Sequence, residues 1–311
     1  MNILLTGGAG FIGSNVADAY IREGHQVTVI DDLSSGRVEN LNPGAAFHRM
    51  SIGDDRVGEI VREGSFDVLN HHAAQIDVRK SVSDPVFDAQ TNILHSIRLL
   101  NYCRDYGVKK VVYSSTGGAI YGEPQYNPAD ENHRVRPLAP YGISKHVVEH
   151  YIELYHDLYG QDYTILRYGN VYGPRQDPHG EAGVVAIFSG LLLSGKDCLI
   201  FGNGKQTRDY IHVDDVVRAN LMALEKGSGE IMNIGTGIET SVNDLYDAMA
   251  RIVGVERDPV YKPPRTGEVE RIFLAVEKAK KVMGWEPTVS LEDGLRQTVG
   301  FFREKREKVG I

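Results

Sequence analysis

Tyr141 and Lys145 stand four residues apart in Tyr-Gly-Ile-Ser-Lys, directly after Pro140. Proline opens helices well, and i, i+4 spacing sets both side chains on one helical face. An ammonium beside a phenol favours the phenolate, drawing a group that ordinarily titrates at about 10 toward neutral pH. Such a pair is a general base for an alcohol, and an oxidised nicotinamide nearby would push the phenol the same way. Tyrosine four before lysine also arises by chance on surface helices. Here it follows a glycine loop and a strand-like run ending Tyr113-Ser-Ser-Thr116.

That loop is Thr6-Gly-Gly-Ala-Gly-Phe-Ile-Gly13, placed between an apolar run and a helical stretch. Gly7, Gly10 and Gly13 permit a tight turn, close approach of the backbone to a pyrophosphate, and close helix–strand packing. The helix opening at Phe11 and Ile12 aims its free N–H groups at the phosphates. The second strand run ends at Asp31, whose carboxylate accepts from ribose hydroxyls and repels a 2′-phosphate, so NAD is expected rather than NADP. Asp32, Ser34, Ser35 and Gly36 complete the adenosine edge.

The elements that must hold these groups are short β-branched runs alternating with amphipathic stretches. Strands are expected at Asn2–Thr6, Gln26–Ile30, Val68–His71, Lys110–Ser114 and Tyr163–Arg167, and helices near 12–23, 85–106 and 141–159. This alternation predicts an α/β fold, a Rossmann-type doubly wound parallel sheet. From about residue 170 glycine and proline cluster, as in Tyr172-Gly-Pro-Arg-Gln-Asp-Pro-His-Gly180 and Phe201-Gly-Asn-Gly204, which reads as loops around a site. Ser241 caps a helix with Val242, Leu245, Ala248, Met249 and Ile252 on its apolar face, and a last helix covers roughly 290–306. The expected division is a dinucleotide-binding domain over 1–169, rejoined by about 209–237, and a smaller α/β substrate subdomain over 170–311.

The 311 residues suit such a pair of packed lobes. Lys+Arg 34 against Asp+Glu 42 gives a net charge of −8, without the electrostatic grip on phosphate backbones that nucleic acid requires. Cys103 and Cys198 can build neither a disulfide framework nor a four-ligand zinc site. No apolar run reaches membrane-spanning length and no leader pattern opens the chain, so the expected compartment is the cytoplasm and no membrane partner is expected.

The order TGGAGFIG, Asp31, Ser114-Ser-Thr116, YxxxK, Arg167-Tyr-Gly-Asn-Val-Tyr-Gly-Pro-Arg175 and Arg208-Asp-Tyr-Ile-His-Val-Asp-Asp215 resembles the extended short-chain dehydrogenase/reductases. Within them the chain is most similar to short bacterial and archaeal UDP-glucose (UDP-galactose) 4-epimerases, through Ser-Ser-Thr-Gly-Gly-Ala-Ile-Tyr-Gly122 and Gly180-Glu-Ala-Gly-Val-Val185. The resemblance implies an isomerase with tightly bound NAD that interconverts UDP-glucose and UDP-galactose by transient oxidation at C4. It implies Tyr141 as base and Lys145 as its partner and nicotinamide-ribose anchor, with Ser115 or Thr116 on the sugar's 4-OH. Ala73, Ala74 and Gln75 would pass under the cofactor, with Asn92 near them. Ser51 stands where relatives carry an acid near the adenine, with Asp54 three residues on. Asn170, Val184, Arg208 and Arg265 would contact the nucleotide sugar, and Phe201 would wall the uracil. A homodimer through a four-helix bundle is also implied.

Other readings are a 4-epimerase of UDP-glucuronate or a UDP-N-acetylhexosamine, a dehydratase, and a non-catalytic NAD-sensing regulator. Glucuronate would need a cation or hydroxyl cluster at C6, which no motif supplies. Dehydratases carry Asp-Glu after their threonine, whereas Gly117-Gly118 follows Thr116. Sensing proteins lose the Tyr/Lys pair. His146-Val-Val-Glu-His150 spells a zinc-protease pattern, but with no third ligand it is expected to be a solvated or interface face, and no metal is expected. His71-His72 reads as a packed strand end.

Overall fold

The computed structural model describes residues 1–178, 183–265 and 269–309. In chain order it contains β1 (Asn2–Thr6), α1 (Phe11–Arg22), β2 (Gln26–Asp31), β3 (Ala46–Arg49), α2 (Arg56–Gly64), β4 (Val68–His71), α3 (Val78–Ser83) and α4 (Pro85–Ala89). A π-helical turn (Gln90–Leu94) leads into α5 (His95–Asp105), followed by β5 (Lys110–Thr116), α6 (Gly117–Ile120), α7 (Pro140–Tyr159), β6 (Asp162–Tyr168) and β7 (Asn170–Tyr172). Then come α8 (Val184–Leu193), β8 (Leu199–Phe201), β9 (Thr207–Arg208), β10 (Tyr210–His212), α9 (Val213–Ala223) and β11 (Glu230–Ile234). The chain closes with β12 (Thr240–Ser241), α10 (Val242–Val253), β13 (Val260–Lys262), α11 (Glu277–Met283) and α12 (Leu291–Val309).

Seven strands form one sheet in the order β11-β6-β5-β4-β1-β2-β3, and every pairing in it is parallel. Side chains alternate across a strand, so Ile3 and Leu5 enter one core layer with α1, α9 and Trp285, while Leu4 enters the other with α2, α5 and α7. Burial on both faces explains the near-continuous apolar runs of β1, β4 and β5. The strand order reverses between β1 and β4, and the crevice at that switch, beyond the carboxyl ends of the strands, is where doubly wound sheets bind ligands. It is also where the glycine loop, the residues after β4 and the end of β5 meet.

After β7 the chain builds a second core from Tyr172, Phe188, Ile200, Leu245, Met249 and Leu295. Glycine and proline there do mark loops, but β10–β7, β12–β9 and β13–β8 are each paired as short two-stranded ladders. Ser241 caps α10 through a reciprocal box with Asp244. Between these pieces the chain returns to the first lobe, where α9 packs on α1 and β11 pairs with β6. The edge strand β3 carries too weak a pattern to stand out in the sequence, since two of its four residues are exposed and two half-buried; β11 and the amphipathic α2 are also not among the elements expected from it.

Candidate active site

Gly7 adopts φ +73°, and a Cβ there would lie 2.7 Å from the Ala73 amide nitrogen. A Cβ at Gly13 would collide with the Gly7 carbonyl oxygen. Both positions require glycine. α1 begins at Gly10 with no side-chain cap, so its first N–H groups remain available to an anion. Asp31 accepts from Ala9 N (3.0 Å) on one oxygen and from Leu33 N (2.8 Å) on the other, and burial lifts its carboxyl above the usual range. Gly36 is where that carboxylate passes, because a Cβ there would sit 2.8 Å from Asp31 Oδ1. Asp32 turns back onto Ser34 N (2.8 Å), leaving Ser34 and Ser35 at the exposed rim. Glycine cradle, uncapped helix start and the buried acid at the end of β2 fit a dinucleotide.

The other wall is the stretch after β4. Ala73 N donates to Thr6 Oγ1 (3.3 Å), and half-buried Ala74 follows. Gln75 is held at both main-chain groups by Asn92, whose Oδ1 accepts from Gln75 N (2.8 Å) and whose Nδ2 donates to Gln75 O (2.9 Å). Asn92 lies in the π-helical turn, an irregularity frequent at functional sites. Beneath them the fully buried Asp88 accepts from Gln75, Asn92 and Ser144. Asp54, by contrast, commits both oxygens to Arg56, whose hydrogen bonds bring its carboxyl to about 2. The Ser51 hydroxyl accepts from Gly53 N (3.1 Å).

Tyr141 and Lys145 project from the first two turns of α7. Lys145 is buried, with Nζ 4.5 Å from the Tyr113 ring centroid and no oxygen partner among the described residues. Burial lowers its ammonium to about 7 against the pull of the Glu149 and Asp88 carboxylates. The expected depression of Tyr141 does not occur in the protein alone: burial, with Asp88 adding to it, pushes the phenol up to about 12. Removing a phenol from water costs its anion more than a marginally charged neighbour restores. Positive charge on a bound ligand would draw the phenol back down. A buried ammonium lacking an oxygen partner is also what the two hydroxyls of a nicotinamide ribose would satisfy.

Ser115 and Thr116, consecutive on β5, point to opposite faces. Ser115 Oγ donates to Glu149 Oε1 at 2.5 Å. Thr116 ends the strand with its hydroxyl 4.0 Å from where a Gly118 Cβ would stand, and Asn170 Oδ1 lies 3.1 Å from the same point. The side-chain-free Gly118 thus leaves a common space between Thr116 and Asn170. Gly117 carries no hydroxyl, and a Cβ there would displace the Leu274 side chain, whose Cδ1 lies 2.6 Å away.

In the second lobe Arg208 extends from β9 with only its own strand's Thr207 O (2.8 Å) as partner and no carboxylate among the described residues. The next residue, Asp209, accepts from Thr236, Gly237 and Leu274, which fixes the strand carrying Arg208. The Arg265 guanidinium stacks 3.7 Å over the Phe201 ring, beside an open cavity of about 450 Å³ lined also by Gly202, Gln206, Pro264 and Glu270. Val184 is the first residue of α8. The neighbouring motif residues Gly180–Ala182 and Thr266–Glu268 lie outside the described residues.

The sequence reading missed a buried polar chain behind β5. Glu149 pairs bidentately with Arg167 (3.0 and 2.7 Å), and Arg167 continues to Tyr121 OH (3.0 Å) and on to Asn233 (2.8 Å). Burial alone would raise the Glu149 carboxyl, but hydrogen bonds from His146 and Arg167 bring it to about 2. Glu149 is the acid of His146-Val-Val-Glu-His150, so that segment is only partly the solvated face expected: its glutamate is core. The signal was its position four residues after buried Lys145, on the same helical face. No group of three or more metal-ligating side chains occurs among the described residues. His71 does pack as a strand end, between Thr6 Oγ1 (2.7 Å) and Ser96 Oγ (2.9 Å), and His72 stacks on Tyr168.

A model of the NAD dependent epimerase/dehydratase family matches residues 3–235, and the chain belongs to this family of NAD-dependent enzymes. It is 46% identical over 313 residues to a UDP-glucose 4-epimerase of Mycolicibacterium smegmatis, covering 99% of this chain and 100% of that one. The crystal structure of a UDP-glucose 4-epimerase with UDP-glucose from Thermotoga maritima superposes with a TM-score of 0.97 at 53% identity, covering 98% of this chain and 99% of the other. A Thermus thermophilus UDP-glucose 4-epimerase in complex with NAD gives a TM-score of 0.93 at 43% identity, over 97% and 99% of the two chains.

Proposed function

We propose that the protein interconverts UDP-glucose and UDP-galactose. The observation that carries this reading is Tyr141 and the unpartnered Lys145 ammonium on one face of α7, beside the glycine cradle, in a chain matched end to end by UDP-glucose 4-epimerases. NAD, when bound, accepts hydride from C4 of the sugar and returns it. Gly7, Gly10, Phe11, Ile12 and Gly13 would receive its pyrophosphate, Asp31 its adenosine ribose, and Lys145 its nicotinamide ribose. Asp32, Ser34, Ser35, Gly36 and Asp54 would border the adenosine, and the Ala73–Gln75 stretch with Asn92 the opposite wall.

Tyr141 is the base that takes the 4-OH proton and later returns it. Thr116 holds the same oxygen, since its hydroxyl opens onto the space shared with Asn170, whereas Ser115 positions β5 through Glu149. Arg208 and Arg265 grip the diphosphate, and Phe201 walls the base in the open cavity. Binding energy placed at the nucleotide end lets the sugar turn over between the two half-reactions, because nothing so firm holds the hexose.

The cofactor lobe comprises 1–169 with about 209–237, α11 and Trp285 pack on its core, and the rest of 170–311 is the substrate lobe. The exposed apolar side chains Leu94, Ile143, Leu154 and Leu158, on α7 and the turn before α5, support a homodimer through those helices. Free, buried Cys103 and Cys198 fit a reducing cytoplasm. The test is incubation with UDP-glucose, UDP-glucuronate and UDP-N-acetylglucosamine separately. UDP-galactose from the first is expected; turnover of another sugar but not of UDP-glucose overturns the substrate assignment.

A further inference from the structure

Of the non-glycine residues in the left-handed region, Ser65 merely ends α2, but Leu33 (φ 62°) and Arg175 (φ 73°) lie in two loops that meet across α1. Backbone held there against side-chain sterics tends to mark a functional constraint. The Gly173–Pro178 segment reads from its glycine and prolines as wall for a substrate, yet it also bonds to the cofactor lobe. Asn15 Nδ2 donates to Pro174 O (3.3 Å), Arg175 Nη2 to Asp18 Oδ2 (2.6 Å), and Arg37 Nη2 reaches Asp177 Oδ1 (3.4 Å). Asn15 and Asp18 follow Phe11 along one face of α1, beginning at the turn whose N–H groups face the phosphates. Asp18 also accepts from Asn42 (2.7 Å), while Arg37 N and Asn40 Nδ2 both donate to Ala9 O in the glycine loop. The loop carrying Asp31 and the segment after β7 are thereby tied together around α1.

We propose that Gly173–Pro178 is a latch on the dinucleotide, with Arg175 as its positioning residue. The inference rests on the cofactor reading above. A ligand seated on the glycine loop leaves past either flank, and the latch joins the flanks. Arg175 itself is singly held: its other terminal nitrogen is buried without a hydrogen-bond partner among the described residues, so Asp18 alone fixes the guanidinium, beside the Asn15–Pro174 and Arg37–Asp177 contacts of the same segment. Losing the pairing frees an arginine from a conformation that its Cβ disfavours, and nothing in the pairing touches Tyr141, Lys145 or Thr116. The latch should therefore govern how long NAD stays, not how fast the sugar reacts.

The experiment is exchange of the bound cofactor of the holoenzyme against excess isotopically labelled NAD. Arg175→Ala is expected to speed exchange about tenfold and Asp18→Ala, which also loses Asn42, at least as much; the double variant should be no faster than Asp18→Ala because the two changes share one contact, and Arg175→Lys should restore part of the retention. At saturating NAD and UDP-sugar kcat should stay within about twofold. Arg37→Ala, at a half-exposed ion pair of 3.4 Å, should speed exchange by a smaller factor. Unchanged exchange in Arg175→Ala and Arg37→Ala, or single effects that multiply in the double variant, would overturn the latch. A merely structural role would lower kcat and thermal stability together with the rate pattern absent, which also overturns it. Wild-type protein that holds no NAD would sink the cofactor reading itself, and is recognised before any variant is made.

Discussion

Lys145 and Tyr141 sit in protonation states that the protein alone does not favour for catalysis. With the phenol at about 12 and the ammonium at about 7, both are displaced toward neutrality by burial. For stability, an unfolded Lys145 keeps its proton up to about 10.5, whereas the folded one releases it near 7. Cofactor-free protein should therefore grow more stable as pH rises from about 7 to 10.5, and Lys145→Met should flatten that rise in denaturant midpoints. His71 and His72, lowered to about 3 by burial and by Lys145, act at the other end. Unfolded imidazoles take up protons below about 6.5 and the buried ones do not, so stability should fall from pH 6.5 toward 3, less steeply in His71→Asn. At Asp31, replacement by alanine removes charged acceptors and the repulsion of a 2′-phosphate. NAD affinity should drop roughly 10–100-fold and the NADP/NAD preference rise, as read by cofactor titration.

At the scale of elements, β5 and α7 carry the proposed catalytic groups and the buried Glu149–Arg167 pair fastens them to β6. Breaking such a pair strands a charge, so Glu149→Ala should cost about 3–5 kcal/mol in chemical denaturation. The double change Glu149→Leu with Arg167→Met should cost less than the single one. The i, i+4 pair on α7 and the loop–helix of β1–α1 were legible because glycine spacing and helical period are local. The Glu149–Arg167–Tyr121 chain was not: its members come from three elements, and long-range pairing leaves no periodic trace. Nor did Ser115 and Thr116 separate until the pleat of β5 sent them to opposite faces. Burial, which decided the direction of the Tyr141 shift, is a property of packing and invisible to spacing.

Across the whole molecule, the sheet order and the return of α9 and β11 to the first lobe put the cofactor crevice where two excursions of chain converge. The alternation of strands and helices foretold the sheet. What it did not show was that the loop after β7 fastens also to α1, because Arg175 and Asp18 are far apart in the chain and ordinary in type. The apolar stripe of α7 predicts a dimer by light scattering, converted to monomer by Leu154→Glu with Leu158→Glu. The central claim, a tyrosine base acting with resident NAD on C4, is tested most directly by UDP-sugar turnover in Tyr141→Phe. Wild type is expected to yield UDP-galactose from UDP-glucose, and the variant to keep NAD while losing about 10²–10⁴-fold in rate. A Tyr141→Phe protein that interconverts the two sugars at the wild-type rate would contradict it.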